Sequence, residues 1–462
     1  MGGVDAEVRI VELEARVAHL DGLVVDLIEQ VAVRDARIGD LERLLDESRR
    51  SGKRQAAPFA KGEPTLEPKR PGRKRGDAHG RHNHRGIPNA EPDRVLDAPV
   101  SCCPDCGGSV DVERIADQFQ VDIPEPRPTV TRFRVQIGHC TDCGRRVQGR
   151  HPDQTSDALG AAGSQVGPHA KAWAIWLHYG LGLSFAKCSS VLAQMGIDVT
   201  AGALCTAAQS TSTDLVPVHN DIVKRANDAA AVVMDETGWH VAGHNAWLWV
   251  ATSRDVTVYD VGDGRGFDQA CRLIGADYDG IIMRDGWAVY RRYSHATHQT
   301  CLAHLRRRCD ELLVDLPAWA HGTPHQVNDI LTRAFAARDL DDTARAAVAA
   351  NLVERVELLA DDPQVHDECR KLVRHLSREA DALFTFLTHP GVDATNWRAE
   401  QAIRPAVVNR KVWGGNRTWN GARTQSRIMT VLRTATQQGV DAIEFLGRLA
   451  RAPNPADIAL FA

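Results

Sequence analysis

The stretches AVVMDETGW, residues 231–239, and GIIMRDGW, residues 280–287, each place an aspartate within two residues of the end of a short apolar run. Apolar runs of this length, bounded by polar residues and glycine, are typical of strands that are buried on both faces. We therefore predict two buried strands that end in a carboxylate, Asp235 in the first and Asp285 in the second.

A third acid, Glu400, lies in TNWRAEQAIRP, residues 395–405. Thr395 has the side chain of a helix N-cap, and Pro405 is expected to stop or kink the helix. Oxygen ligands from two strand ends and one helix are what two magnesium ions require, because the ions must lie about 3.5–4 Å apart and together hold the attacking and leaving oxygens. The pattern predicts metal-dependent phosphoryl transfer, in which the chain cuts and joins DNA.

The surrounding residues predict the fold of this catalytic domain, residues 230–450. Residues 231–235, 246–252 and 256–261 read as a strand meander, and a helix near 267–274 precedes the strand before Asp285. That order is the opening of a ribonuclease-H-like fold. Asp285 and Glu400 are 115 residues apart, and the region between them has helical character. We therefore predict a helical insertion at about residues 316–390.

Composition gives no global indication of a nucleic-acid partner, because the 462-residue chain has a formal net charge of -4. Local charge differs: residues 49–85 contain twelve Lys and Arg, and residues 398–433 contain eight against Glu400 alone. Such segments bind phosphates because affinity follows local charge. The candidate DNA-binding residues are Arg398, Arg404, Arg410, Lys411 and Arg417, with His304 and Arg308 four apart on an arginine-rich helix that begins near Leu302. Each arginine is equally well explained as an ordinary solvated charge.

Cysteine usage and hydropathy predict a reducing compartment. The count of eleven cysteines is odd, so they cannot all pair within one chain, and the sequence shows neither a signal peptide at its acidic start nor an apolar run of membrane length. We expect a cytoplasmic, nucleoid-associated protein without a membrane partner.

A heptad repeat covers residues 6–48. Its a positions carry Ile10, Val17, Val24, Val31, Ile38 and Leu45, and its d positions carry Leu13, Leu20, Leu27, Arg34 and Leu41. Branched residues at a with leucine at d favour a parallel two-stranded coiled coil. We predict a dimerisation helix; the alternative is one amphipathic helix packed on its own protein.

Residues 49–97 and 98–152 predict a basic flexible linker and a zinc domain. The linker is rich in Lys, Arg, Pro, Gly and His, so it cannot bury apolar surface, and it acts as a spacer or as a phosphate-tracking arm.

In the next segment, Cys103, Cys106, Cys140 and Cys143 form two CxxC pairs, each followed by Gly. Four thiolates suit one tetrahedral structural zinc, and residues 129–135 alternate as a strand would, so a zinc ribbon is predicted. Redox-active CxxC pairs are the alternative.

Residues 165–225 are predicted to be helical. A helix, a turn at residues 195–197 and a second helix capped by Thr200 have the order of a helix-turn-helix motif. Because the second helix carries few basic residues, two helices that simply pack together are the alternative.

Several blocks together resemble the insertion-sequence-66 family of transposases. They are DETGW with the following WLWV, CLAHLRR at residues 301–307, TNWRAEQAIRP, RKVWGGNRTWNGARTQS at residues 410–426, and QQG at residues 437–439 followed by EFL at residues 444–446. The N-terminal helix, basic linker and four cysteines agree in order. Trp397 stands where the family commonly has asparagine, and Leu302 stands where it often has tryptophan. Neither departure changes one of the three acids.

The resemblance implies a multidomain α+β protein with an Asp-Asp-Glu catalytic set, namely Asp235, Asp285 and Glu400. It implies two Mg²⁺ or Mn²⁺ ions, one Zn²⁺ ion, transposon-end and target DNA as partners, a homodimer or larger homo-oligomer, and accessory proteins of the same element. Two rival functions stay open at this point: a non-catalytic zinc-containing DNA-binding regulator, and a metal-dependent nuclease that does not join strands.

Overall fold

The computed structural model describes residues 91–363 and 365–461, with Pro88 and the six N-terminal residues Arg16, Val17, Leu20, Val24, Val31 and Arg34. Two compact units divide the chain, residues 1–120 and residues 121–462. The predicted coiled coil and basic linker therefore lie mostly outside the described residues. The six described N-terminal residues are helical and exposed.

The cysteine-rich segment contains little regular structure. In the second unit, β1 (Ile137–His139) and β2 (Arg146–Gln148) pair antiparallel on either side of the second CxxC turn. The strand predicted at residues 129–135 is wrong, because that stretch has no strand partner and Val130 is 86% exposed. Alternation alone does not make a strand when no second strand satisfies its backbone groups.

Between residues 163 and 230, all of which the structure describes, the α-helices are α1 (Pro168–Ile175), which continues as a π-helical turn at Trp176–Gly180, α2 (Phe185–Gln194), α3 (Ala201–Asp214) and α4 (Val216–Asn227). The prediction of two helices separated by a turn at residues 195–197 is confirmed. Thr200 caps α3, because its hydroxyl oxygen accepts a hydrogen bond from the Ala203 amide.

A five-stranded mixed sheet forms the centre of the second unit. It contains β3 (Ala231–Val241), β4 (His244–Thr252), β5 (Thr257–Gly262), β6 (Ile281–Arg284) and β7 (Thr297–Thr300), in the order β5-β4-β3-β6-β7. The first three strands are antiparallel, whereas β6 runs parallel to β3 and to β7. The meander and the fourth strand are as predicted; β7 was not predicted. Between β5 and β6 the structure has only one helical turn, α5 (Phe267–Ala270).

The prediction that the first strand ends at Asp235 is wrong. β3 passes through Asp235 and continues to Val241. β3 is long because it pairs with β4 from Val233 to Val241, and the two strands form a long hairpin. The parallel pairing with β6, in contrast, stops at Val233. Asp235 therefore lies beyond the end of the parallel pairing while still belonging to a strand.

Helices cover the sheet and follow it in the chain. The region after β7 contains α6 (Leu302–Asp315), α7 (Gly322–Ala336), α8 (Asp342–Ala360), α9 (Arg370–Arg378), α10 (Ala380–Leu383) and α11 (Thr385–Thr388). The chain ends with α12 (Trp397–Trp413), α13 (Trp419–Gln437) and α14 (Ala442–Arg451). No strand interrupts residues 302–388 among those described, as predicted for the insertion.

Pro405 does not stop α12, so of the predicted stop or kink the stop is wrong. The helix begins after Asn396, not Thr395, and runs to Trp413, where Gly414 adopts a left-handed conformation with φ of 77°. Proline removes the hydrogen bond to the carbonyl of Gln401. Because Gln401 is exposed, solvent can satisfy that carbonyl. The helix stop is supplied by glycine, which reaches positive φ without a Cβ clash.

The free edge of β5 is covered by hydroxyl side chains of α13. The backbone amides of Thr257, Tyr259 and Val261 donate to the hydroxyls of Thr434, Thr430 and Ser426, respectively. Two strand residues rise about 6.6 Å and four helical residues rise about 6 Å, so the two repeats match over this length. The helix thereby pairs an edge that would otherwise expose amides to a second chain.

Apolar side chains from the sheet and the surrounding helices form one large core, with Trp239, Trp249 and Phe445 among its largest fully buried members. The prediction of a mixed α+β architecture is confirmed. Among the described residues, every helix is too short or too polar to cross a membrane.

Candidate active site

Asp235 lies on β3, and Asp285 directly follows β6, the neighbouring parallel strand. The parallel register ends with Val233 paired to Met283, so Asp235 and Asp285 each lie two residues beyond this last pair. Adjacent strands are about 4.8 Å apart, which places the two carboxylates in one region of the sheet. The two aspartates predicted from separate motifs are thus brought together by strand pairing.

The environment of Asp235 is crowded with negative charge. Burial, together with the charges of Glu236, Asp285 and Glu400, raises the pKa of Asp235 to about 8, although a hydrogen bond from the Glu236 amide to its Oδ1 acts to lower it. Asp285 is half-buried, and its Oδ1 accepts a hydrogen bond from the Trp287 amide at 2.8 Å. Carboxylates that repel one another in this way need a cation nearby to stay ionised together.

Glu400 reaches the same region from the first turn of α12. Its Oε1 lies 4.0 Å from Nε2 of His304 on α6. Among the described residues, Nδ1 of His304 is buried without a hydrogen-bond partner. The imidazole is therefore oriented toward Glu400 on one side, as a residue that supports the carboxylate would be.

The side chains of Asp235, Asp285 and Glu400 fit a hard divalent cation in ligand type and in charge. They supply carboxylate oxygens, and a bound cation would relieve the repulsion between them. Within the described part of the chain, no group of three or more His, Cys, Asp or Glu is close enough to hold one ion. The three acids share a region without forming a closed ligand shell. Metal ligation by Asp235, Asp285 and Glu400 stays a prediction.

Glu236 belongs to a separate cluster beside the site. Its Oε1 accepts hydrogen bonds from Arg265, the shorter at 2.5 Å, and its Oε2 accepts one from the Tyr290 hydroxyl. The Arg265 guanidinium lies 4.0 Å from the ring centre of Trp287 and 4.6 Å from that of Trp247. Glu236 is thus engaged away from Asp235, as its opposite strand face predicts. Arg265 and Tyr290 gave no sequence signal, since neither lies in a motif.

The predicted DNA-binding residues have unequal surroundings. Arg404 and Arg417 are exposed, Arg398 pairs with Asp393 at 3.0 Å, and Arg308 pairs with Glu311 at 3.1 Å. Lys411 is half-buried. Arg410 is also half-buried, and its guanidinium donates to the carbonyl oxygen of Gly238 on β3. Arg410 therefore has an internal contact that joins α12 to the sheet.

The loop at residues 413–417 is anchored by contacts with the rest of the fold. Trp413 stacks on His178 with 4.7 Å between ring centres, and its Nε1 donates to the Gly182 carbonyl. Asn416 Oδ1 accepts from the Trp239 indole at 2.7 Å, and the Asn416 backbone pairs with the end of β3. The loop ties α12 to the β3–β4 hairpin and so fixes the helix that carries Glu400.

The two cysteine pairs occupy similar turns. In the first, the Gly107 amide donates to the Cys103 carbonyl, and in the second the Gly144 amide donates to the Cys140 carbonyl. Gly107 and Gly144 both have positive φ, 76° and 69°. Hydrogen bonds from within each turn lower the pKa of Cys103 and of Cys140, which favours the thiolate that binds metal. The zinc prediction itself stays untested.

Comparison with known proteins gives two matches. A family model described as transposase IS66 family matches residues 163–424, more than half of the chain, including Asp235, Asp285 and Glu400. Uncharacterized protein y4qI of Sinorhizobium fredii is 24% identical over 310 residues, which are 58% of this chain and 56% of that protein. The chain thus spans about half the length of the curated relative it matches.

Proposed function

Because the chain belongs to the transposase IS66 family, we propose that it cuts the ends of its transposon and joins each freed 3′-hydroxyl to target DNA. The observation that supports this proposal is the strand register, in which Asp235 and Asp285 each lie two residues beyond the paired residues Val233 and Met283. Glu400 adds the third acid, since its charge acts on Asp235. The site belongs to a sheet whose three antiparallel strands and following parallel strand support a ribonuclease-H-like fold.

The reaction would proceed in two displacements at phosphorus. In the first, a water oxygen bonds to the phosphorus at the transposon end, the bond from phosphorus to O3′ breaks, and O3′ takes up a proton. In the second, that O3′ bonds to a target phosphorus and displaces the target O3′. Neither step requires a covalent bond to the protein.

Asp235, Asp285 and Glu400 would hold two Mg²⁺ or Mn²⁺ ions. When bound, the ions lower the pKa of the attacking oxygen and stabilise the departing one. The role of the protein is to hold the three carboxylates on rigid elements, Asp235 on β3, Asp285 directly after β6 and Glu400 on α12. His304 would orient Glu400 through its Nε2, which faces the carboxylate.

Phosphate contacts would come from arginines on the helices around the site. Arg404 lies four residues after Glu400 on α12 and is exposed, and Arg398 and Arg308 keep partly exposed guanidinium groups in their ion pairs. Arginine suits this role because its planar group binds phosphate oxygens in pairs. Arg417 follows on the loop after α12 and is also exposed.

The segments before the catalytic domain would assemble the protein on DNA. We include in the proposal one zinc ion bound by Cys103, Cys106, Cys140 and Cys143, a coiled-coil homodimer through residues 6–48, and DNA contact by the α2–α3 pair. These roles rest on residue type and spacing in the sequence.

The test is a strand-transfer assay with DNA that carries the inverted repeats flanking the coding region, Mg²⁺ and a supercoiled target. Wild-type protein should yield joined product, and Asp285→Ala should yield neither cut nor joined DNA while still shifting the DNA in a gel. Cut ends without joined product would indicate a nuclease. Binding without cutting by the wild type would indicate a regulator, and either result contradicts the proposal.

A further inference from the structure

Glu379, at the end of α9 in the helical insertion, is a buried acid that no motif includes. It is 1% exposed, and both of its oxygens are engaged. Oε2 accepts from Arg284 Nη1 at 2.5 Å and from the Thr300 hydroxyl at 2.7 Å, and Oε1 accepts from Arg291 Nη1 at 2.6 Å. Burial acts to raise the pKa of Glu379, but Arg284, Thr300 and Arg291 outweigh it, so the pKa lies below its usual value.

Arg284, the partner of Glu379, is the residue directly before Asp285. Its side chain is 2% exposed, and the same Nη1 that binds Glu379 also donates to the backbone carbonyl oxygen of Asp285 at 3.1 Å. Thr300 on β7 gives Nη1 a further acceptor at 3.0 Å. The guanidinium therefore connects the insertion to the backbone of the aspartate across 95 residues of sequence.

A second contact from α9 reaches the residue directly after Asp285. A Cβ at Gly286 would lie 2.3 Å from Cε1 of the His375 ring, well inside contact distance. Gly286 does not have positive φ, so its backbone conformation does not require glycine. Glycine is required here because a side chain would collide with the His375 ring. His375 and Glu379 are one helical turn apart, and together they hold both neighbours of Asp285.

We propose that Glu379 is a positioning residue for Asp285, acting through Arg284, with His375 packed on Gly286 as the second fixing contact. The inference rests on the proposed function, in which Asp285 is a metal ligand. A ligand that follows a strand end can swing with its backbone, and two contacts from one helix remove that freedom. The helical insertion then has a role inside the catalytic centre, beyond any contact it makes with DNA.

The first experiment compares Glu379→Gln with Asp329→Asn in the full chain. Glu379→Gln keeps the side-chain volume but leaves the buried Arg284 without its charged partner. Asp329→Asn is the control, because it removes contacts to Arg333 and Arg355 within the insertion. Loss of an outer-sphere partner typically lowers metal affinity or activity about 10- to 100-fold. We expect that effect on the Mn²⁺ dissociation constant and on the rate of end cleavage for Glu379→Gln alone, with DNA binding unchanged.

The second experiment tests the His375 contact by rescue. Gly286→Ala should weaken Mn²⁺ binding because its Cβ displaces the Asp285 backbone away from the His375 ring. Adding His375→Ala removes the ring and should restore most of the binding. This pair keeps the proposal testable if Glu379→Gln does not fold, and a general loss of stability would not be reversed by a second truncation.

Mn²⁺ binding, followed by electron paramagnetic resonance, separates this inference from the proposed function. If wild-type protein neither cuts nor joins DNA, the proposed function fails, while weaker Mn²⁺ binding by Glu379→Gln still supports the positioning role. Equal Mn²⁺ binding and equal cleavage by the wild type, Glu379→Gln and Gly286→Ala would overturn the inference.

Discussion

At the scale of single residues, the site brings several carboxylates together with few positively charged side chains beside them. Asp235 lies among Glu236, Asp285 and Glu400, and only Glu236 has its own arginine partner, Arg265, among the contacts described here. A folded-state pKa of about 8 for Asp235 means that its ionised form destabilises the metal-free fold. Stability and function are therefore opposed at this position.

Asp235→Asn is expected to abolish chemistry and to stabilise the metal-free protein. Because the folded-state pKa is raised above the unfolded value of 3.8, wild-type stability falls as pH rises from about 4 through about 8. Asparagine removes that dependence, so the variant should unfold at higher urea concentration at pH 8. Cleavage should fall by at least about 100-fold, the range for losing one preorganised charged group.

The control for Asp235→Asn is Glu354→Gln, an exposed acid on α8. It should change neither the urea midpoint nor cleavage. A less stable Asp235→Asn protein would contradict the account of repelling carboxylates.

His178 makes the stability of the fold depend on pH in the opposite direction to Asp235. Burial lowers the pKa of His178 to about 4, where the ring stacks between Phe185 and Trp413 and contacts the Leu183 carbonyl. The folded state then binds fewer protons than the unfolded state, so stability should fall as pH is lowered from about 6.5 to about 4, by roughly 3 kcal/mol for this group.

The measurement is the difference in unfolding free energy between wild type and His178→Asn at pH 7 and at pH 4.5. Asparagine keeps an N–H donor for Leu183 but does not titrate. The wild type should lose more stability on acidification than the variant. Parallel losses in the two proteins would show that His178 does not contribute.

At the scale of elements, sequence patterns located four strands of the main sheet but not β7, and they did not give the contacts between elements. The apolar runs before Asp235 and Asp285 gave the correct strands, whereas the length of β3 depended on its pairing with β4. Pro405 lies inside a helix because tertiary contacts hold α12, including Arg410 on Gly238. Glu379 lies 95 residues from Arg284, and no spacing rule joins residues so far apart.

Thr430 on α13 offers a test of the strand edge. Its hydroxyl accepts the Tyr259 amide at 2.9 Å in a fully buried position. Thr430→Val keeps the shape but leaves a buried amide without an acceptor, which should lower the unfolding free energy by about 1–3 kcal/mol. Thr430→Ser keeps the hydroxyl and should cost less, and equal losses in thermal or urea unfolding would contradict this role.

At the scale of the whole molecule, the order of segments stays a prediction, which rests on the separate composition or period of each segment. The heptads, the basic linker, the paired cysteines and the acidic motifs follow one another along the chain. The helical insertion was predicted from the separation of Asp285 and Glu400, and its helices are present between β7 and α12. Its contact with the aspartate was not predictable, since it depends on how α9 packs in three dimensions.

Zinc content tests the cysteine segment. Purified protein should contain about one zinc ion per chain by mass spectrometry of the metal, because four thiolates suit one tetrahedral site. Cys106→Ser should lose the zinc, while Cys102→Ser, which changes the neighbouring cysteine outside the CxxC pairs, should retain it. Wild-type protein without zinc would defeat the assignment.

Self-association tests how two chains would be held together during paired cleavage. Glutamate at Leu20 and Leu27 places charge in the predicted seam, which is unfavourable because a charge buried there loses its hydration. Full-length protein with both changes should shift toward monomer in analytical ultracentrifugation and should join two ends less well, while still binding Mn²⁺. The matched control adds the same charges outside the seam, at the f positions Ala15 and Ala36, and should stay associated. If the wild-type segment of residues 1–50 is monomeric at high concentration, the heptads belong instead to a helix that packs on its own chain.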